Sequence, residues 1–141
     1  MAVPGCGFCD VLEGRVEVVV VSSTDHTLAF LDRSPVFYGH TLVIPREHHE
    51  TLSDLPRGLL EPLFAEVQRI SRAVERGLGA AGSFVAMNNR VSQSVPHLHV
   101  HVVPRNRKDG LRGFFWPRLR YRDDAHMAEV AEALREALAA S

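Results

Sequence analysis

Gln93-Ser94-Val95-Pro96-His97-Leu98-His99-Val100-His101-Val102-Val103-Pro104-Arg105 is the stretch on which the reading of this chain turns. On an extended strand alternate side chains share a face. A strand over His97–Val103, stopped by Pro104, would put His97, His99 and His101 on one side. Leu98, Val100 and Val102 would then face a core. A lone histidine on such a strand is usually a packing residue. Three in strict alternation, backed by apolar residues, point instead to metal binding or acid–base and nucleophilic chemistry. Two chemistries use such a face. Imidazoles can hold a metal, as in zinc hydrolases. Alternatively, a neutral imidazole can attack phosphorus while its neighbours hold the phosphate. Spacing alone does not separate the two.

Around this stretch, the β-branched run Val16–Val21, then Thr27–Leu31, Gly39–Ile44 and Ser83–Met87 read as four further strands. Turn signals at Ser34-Pro35 and Pro45 bound them. Leu60, Leu63, Phe64, Val67, Ile70, Val74 and Leu78 recur at helical spacing, with Gly79 as the stop and Pro62 in the first turn. A second helix is predicted over about Asp124–Ala139, with Asp123 or Asp124 as N-cap and a core-packing stripe of Met127, Val130, Leu134 and Leu138. The strands come in runs and do not alternate strictly with helices. That favours an α+β fold with an antiparallel sheet.

Length and composition fit one domain: 141 residues, 45% hydrophobic and 23% charged, which disfavours disordered and fibrous classes. No apolar run approaches the roughly 20 residues of a membrane span. Met1–Phe8 has neither the basic start nor the apolar stretch of a signal peptide, so a cytoplasmic location is expected. The formal net charge of -1 hides segregation, because Arg105–Arg122 holds seven basic residues against the single acid Asp109. Such a stretch suits a phosphate-bearing partner or a solvated basic loop. Cys6-x-x-Cys9 by itself reads as a redox pair, half a zinc site, or two ordinary thiols.

The run His97-x-His99-x-His101 followed by two apolar residues resembles the signature of the histidine triad (HIT) family of nucleotidyl hydrolases and transferases. The likeness extends to Cys6-x-Phe8-Cys9, Ala29-Phe30-Leu31-Asp32, Ser34-Pro35, and Gly39-His40-Thr41-Leu42-Val43-Ile44-Pro45-Arg46-x-His48. Gln93-Ser94-Val95 and Pro104-Arg105, on either side of the triad, belong to it too. The resemblance implies a five-stranded antiparallel sheet with two main helices on one side, paired into a homodimer. It implies one HIT domain over 1–141, with a core of about 6–105 and a variable segment from 106 to 141. It further implies a covalent nucleotidyl-histidine formed on His99. His101 would hold phosphate oxygen, and His40 would support the triad. Asp32 would bind ribose, with Phe8, Leu12 and Phe30 as base-pocket walls. Gln93 and Ser94 would lie near the scissile bond with one asparagine, Asn88 or Asn89. In one branch the cysteine pair joins two histidines, here Cys6, Cys9, His48 and His97, in a closed structural zinc site. The chemistry itself would need no metal.

The chain departs from the family at Asn88–Gln93, a short loop without glycine, and at the aromatic and basic segment Gly113–Arg118. Phe114, Phe115 and Trp116 are consecutive, so no strand or helix buries all three on one face. Part of the cluster is expected against a partner subunit or a substrate; the alternative is a plug closing the last helix onto the sheet. Arg112, Arg118, Arg120 and Arg122 could draw in polyphosphate. The expected function is a phosphoramidase or dinucleoside polyphosphate hydrolase. The alternatives are a zinc-dependent hydrolase using the triad as ligands, or a non-catalytic nucleotide-binding protein. Membrane association is not expected, nor is a nucleic-acid partner.

Overall fold

A computed structural model describes residues 2–112 and 117–140. The aromatic cluster Phe114, Phe115 and Trp116 lies outside the described residues. The chain divides into two compact units, Met1–Asp109 and Gly110–Ser141.

The first unit is built on a five-stranded sheet in the order β1-β2-β3-β5-β4, with every pairing antiparallel. The strands are β1 (Val20–Ser23), β2 (Thr27–Leu31), β3 (Thr41–Pro45), β4 (Gly82–Ala86) and β5 (Val100–Arg105). Helix α1 (Gly7–Leu12) precedes them, and α2 (Arg57–Leu78) joins β3 to β4. On one sheet face Ala29, Val43, Val100 and Val102 meet Leu63, Val67, Ile70 and Val74 of α2. Burying each of these valine, leucine and isoleucine side chains contributes roughly 1.5–3 kcal/mol before entropy is counted. On the other face Leu28, Phe30, Leu42 and Ile44 meet Val11, with Phe8 and Leu12 beside them. The short α1 thus lies on the face opposite α2, an element that the sequence pattern did not predict. Its N-cap is Cys6, whose sulfur accepts the Cys9 N–H at 3.4 Å.

Several boundaries differ from expectation. The first strand begins at Val20, so Val16–Val19 run beside β2 ahead of it; the Val19 carbonyl still accepts the Leu31 N–H at 3.0 Å. Pro104 does not end the last strand but continues it, paired with Ser83. Proline lacks the donor, and Pro104 lies past the end of the β3 ladder, which stops at Val102. There β5 is paired with β4 alone, and the missing N–H is tolerated. The regular strand starts at Val100, so His97 and His99 lie in the extended segment leading into it. Helix α2 starts at Arg57, which places Pro62 in its second turn, and it ends at Gly79 with φ 68°. That left-handed turn is the conformation glycine supplies at a helix end.

In the second unit, α3 (Asp124–Ala139) has the predicted bounds, and its N-cap Asp123 accepts the His126 N–H at 2.7 Å. Its stripe of Met127, Val130, Leu134 and Leu138 is exposed, against the expectation of core packing. The periodicity marks an amphipathic helix, but it does not say what covers the apolar side. Among the described residues, no helix is long and apolar enough to cross a membrane.

Candidate active site and metal centre

Register puts the histidines where they are. His101 on β5 pairs with Leu42 of β3, and Leu42 pairs with Phe30 of β2. All three therefore share the sheet face that carries α1. A cavity of about 560 Å³ opens there. Phe8, Val11, Phe30 and Leu42 form apolar walls, Val16–Val19 an edge, and Asp32, Ser94, His99 and His101 the polar side. Phe8 stands edge-on to His99, with ring centroids 5.0 Å apart and planes at 84°.

The hydrogen bonds assign a tautomer to each imidazole. His99, only 2% exposed, donates its Nδ1–H to the His97 carbonyl at 2.8 Å, which leaves Nε2 as a bare lone pair. His40 accepts the Val36 N–H on Nδ1 at 3.1 Å, so its proton sits on Nε2. That Nε2–H donates to His101 Nδ1 at 2.9 Å. His101 in turn carries its proton on Nε2. Asp32 Oδ2 lies 3.7 Å from His40 Nε2, and Asp32 Oδ1 accepts the Ser34 N–H at 2.9 Å.

These groups are uncharged near neutrality for a physical reason. Burial pushes His101 down to about 4, helped by repulsion from His99 and His40. Burial also lowers His99, against the opposing pull of the His97 carbonyl and Asp32. His40 is lowered by burial, again opposed by Asp32. A buried, neutral imidazole with a free Nε2 facing a cavity is a competent nucleophile.

His97 faces elsewhere. Fully buried, it donates its Nε2–H to the Pro45 carbonyl at 2.8 Å, which frees Nδ1. Burial holds it down at about 4. Nδ1 lies 3.6 Å from Cys6 Sγ and 3.7 Å from Cys9 Sγ, while His48 Nδ1 lies 3.4 Å from Cys9 Sγ. Together the four donor atoms lie within 4.8 Å of one another. A tetrahedral ion with Zn–S about 2.3 Å and Zn–N about 2.0 Å separates sulfur and nitrogen donors by about 3.5 Å. The donor set and spacing fit zinc.

Among the described residues, no group of candidate ligand atoms contains more than one of the three triad histidines. His97 belongs to the cysteine cluster, and His101 forms a second group with Asp32 and His40. In that second group the His40 tautomer puts a proton on the nitrogen a metal would need.

Some expected site residues lie apart from the cavity. Gln93 donates its amide to the Glu50 carbonyl at 2.6 Å and accepts the Arg90 N–H at 2.8 Å. Asn88 donates to the Ser92 carbonyl, and Asn89 accepts the Leu52 N–H. These side chains hold the loop, with Arg90 and Ser92 at positive φ. Leu12 packs against the core cluster on the α1 side of the sheet and does not line the cavity. Conversely, Val16–Val19 and the Val36 backbone belong to the site without having been expected there. The first group looked like a strand, and a backbone N–H leaves no mark in a sequence.

Compared with known families, residues 13–108 match the HIT domain. An uncharacterized HIT-like protein of Saccharolobus solfataricus is 40% identical, over 70% of this chain and 73% of its own. The Arabidopsis thaliana adenylylsulfatase HINT3 is 31% identical, over 75% of this chain and 55% of its own. A Zn-bound histidine triad family protein from Mycobacterium smegmatis has a TM-score of 0.73 and 34% identity, covering 92% of this chain and 97% of that one.

Proposed function

This chain belongs to the HIT domain family, and from that membership and the cavity geometry we propose that it is a nucleotidyl hydrolase or transferase working through His99. The observation that carries the proposal is the His99 Nδ1–H bond to the His97 carbonyl, which leaves Nε2 bare at the cavity wall. In the proposed reaction Nε2 attacks the α-phosphorus of a bound nucleotide. An Nε2–P bond forms, the bond to the leaving group breaks, and that group departs with its electron pair. Water then opens the nucleotidyl-histidine, releasing nucleoside monophosphate and restoring the imidazole.

The remaining residues bind and position. Phe8 and Phe30 flank the base, and Asp32 accepts from ribose hydroxyls. His101 gives its Nε2–H to phosphate oxygen, with Ser94 nearby. His40 holds the His101 tautomer. Donors already in place stabilise the charge that develops on phosphate without having to reorganise, and this is usually the main source of rate in such a site. Cys6, Cys9, His48 and His97 would hold a zinc ion, which when bound ties α1 to the triad segment. The name of the plant relative supports an adenylyl group joined to an acidic leaving group as a substrate class. Leu60 and Phe64 of α2 and Val85 of the edge strand β4 are exposed apolar residues, which supports pairing into a homodimer.

The test is a turnover screen of adenosine and guanosine phosphoramidates, adenylyl sulfate and dinucleoside polyphosphates, with acid quenching to trap the adduct. The expected result is a nucleoside monophosphate mass on the peptide containing His99. Turnover with no such adduct, and undiminished in His99→Ala, would overturn the reading.

A further inference from the structure

The peptide group between His97 and Leu98 is held on both sides. Its carbonyl accepts the His99 Nδ1–H at 2.8 Å, and its N–H donates to the His49 carbonyl at 2.7 Å. His49 directly follows His48. The segment Pro45–His49 thus grips His97–Leu98 at two hydrogen bonds, His97 Nε2–H to Pro45 and Leu98 N–H to His49. A third attachment is available, because His48 and His97 both present Nδ1 to the two cysteine sulfurs.

We propose that this metal centre is a positioning device for His99 and more than a staple for the fold. His48 and His97, drawn to one ion with Cys6 and Cys9, lock the His97–Leu98 peptide plane and so fix the acceptor that selects the Nε2-lone-pair tautomer of His99. The inference rests on the reading of His99 as nucleophile. It goes beyond that reading in making tautomer choice depend on ligands that never touch substrate. His97 is then a positioning residue through its carbonyl as well as a metal ligand through its ring. Outer groups that orient a metal-bound imidazole typically change affinity or activity by about 10–100-fold when lost, and a loss of that order is expected for His99.

The test reads His99 directly and needs no substrate. Protein labelled with ¹⁵N at histidine is compared at one pH in zinc-loaded form, after chelation, and as His48→Ala and His48→Cys. The loaded protein is expected to show a protected His99 Nδ1–H and an unprotonated Nε2. Chelation and His48→Ala should replace these by an exchanging tautomer mixture while backbone signals of the sheet persist. Turnover per molecule should fall about tenfold or more, with nucleoside monophosphate affinity within about threefold. His48→Cys, which keeps four ligands, should restore the tautomer once zinc is added.

Should the metal-free chain unfold, Cd²⁺ replaces zinc in the folded protein. Its longer bonds should shift the His99 nitrogen signals, and unchanged signals would overturn the proposal. An unchanged His99 tautomer in folded, metal-free protein would overturn it too, as would zinc failing to bind the native chain. Failure of the nucleotidyl-transfer reading looks different: loaded protein with the Nδ1–H tautomer intact and no turnover of any nucleotide tested.

Discussion

His40 Nε2 and His101 Nδ1 lie 2.9 Å apart, and the proton between them belongs to His40 because the Val36 N–H occupies the other nitrogen of that ring. A single backbone donor in the turn after Ser34-Pro35 therefore decides which nitrogen of His101 carries its proton. His101→Ala should lower turnover on the order of 10²-fold, as losing one charge-stabilising donor commonly does. His40→Ala should lower it less and widen the His101 signals in a ¹⁵N spectrum. A His40→Ala variant with wild-type turnover and an unchanged His101 tautomer would remove His40 from the machinery.

His99→Ala should abolish nearly all turnover while the protein folds and binds nucleoside monophosphate. The variant loses the proposed nucleophile but keeps Asp32 and the apolar walls. His99→Gly should regain part of the activity with added imidazole, since the missing group is diffusible. Loss of nucleotide binding in parallel with turnover would mean that the ring serves affinity and not chemistry.

Acid should destabilise the first unit in a defined window. His101 titrates at about 4 in the folded chain, and His40 lies below its ordinary value as well. An unfolded histidine titrates near ~6.5. The unfolded state therefore binds more protons between these values, so this contribution to stability is complete above about pH 6.5 and fades as the pH falls toward 4. Melting temperature measured across that range should fall with pH, and His101→Asn should flatten part of the slope. A His101 midpoint near ~6.5 by NMR would show that burial does not act on it as described.

Gly39 should resist substitution. Its φ is +100°, and a Cβ there would lie 2.3 Å from Leu78 Cδ1 and 3.2 Å from Pro104 Cγ. Gly39→Ala combines backbone strain with a clash whose relief needs Leu78 to move, and should cost on the order of 1–3 kcal/mol. Because Gly39 precedes His40, turnover should fall as well. Chemical denaturation reads the first effect; a stability within about 0.5 kcal/mol of the parent would contradict it.

Much of the fold was legible because its signals are local. Thr27–Leu31 is bounded by turns, α2 carries a long apolar period with Gly79 at its end, and Asp123 caps α3. The triad was legible as a motif for the same reason, but the face expected to be common to all three rings is shared only by His99 and His101. The regular strand starts at Val100, and His97 turns to the cysteine cluster. What that face does was not local. His97, His99 and His101 differ in what each ring's second nitrogen meets, which is set by the Cys6–Cys9 turn, the His97 carbonyl and the Val36–His40 turn. Those partners come from segments up to 91 residues apart in the chain. Pattern in one dimension was enough to mark these imidazoles as a functional group of residues. The resemblance suggested a role for each ring, but only packing shows what each ring nitrogen meets, because a tautomer is fixed by its neighbour in space.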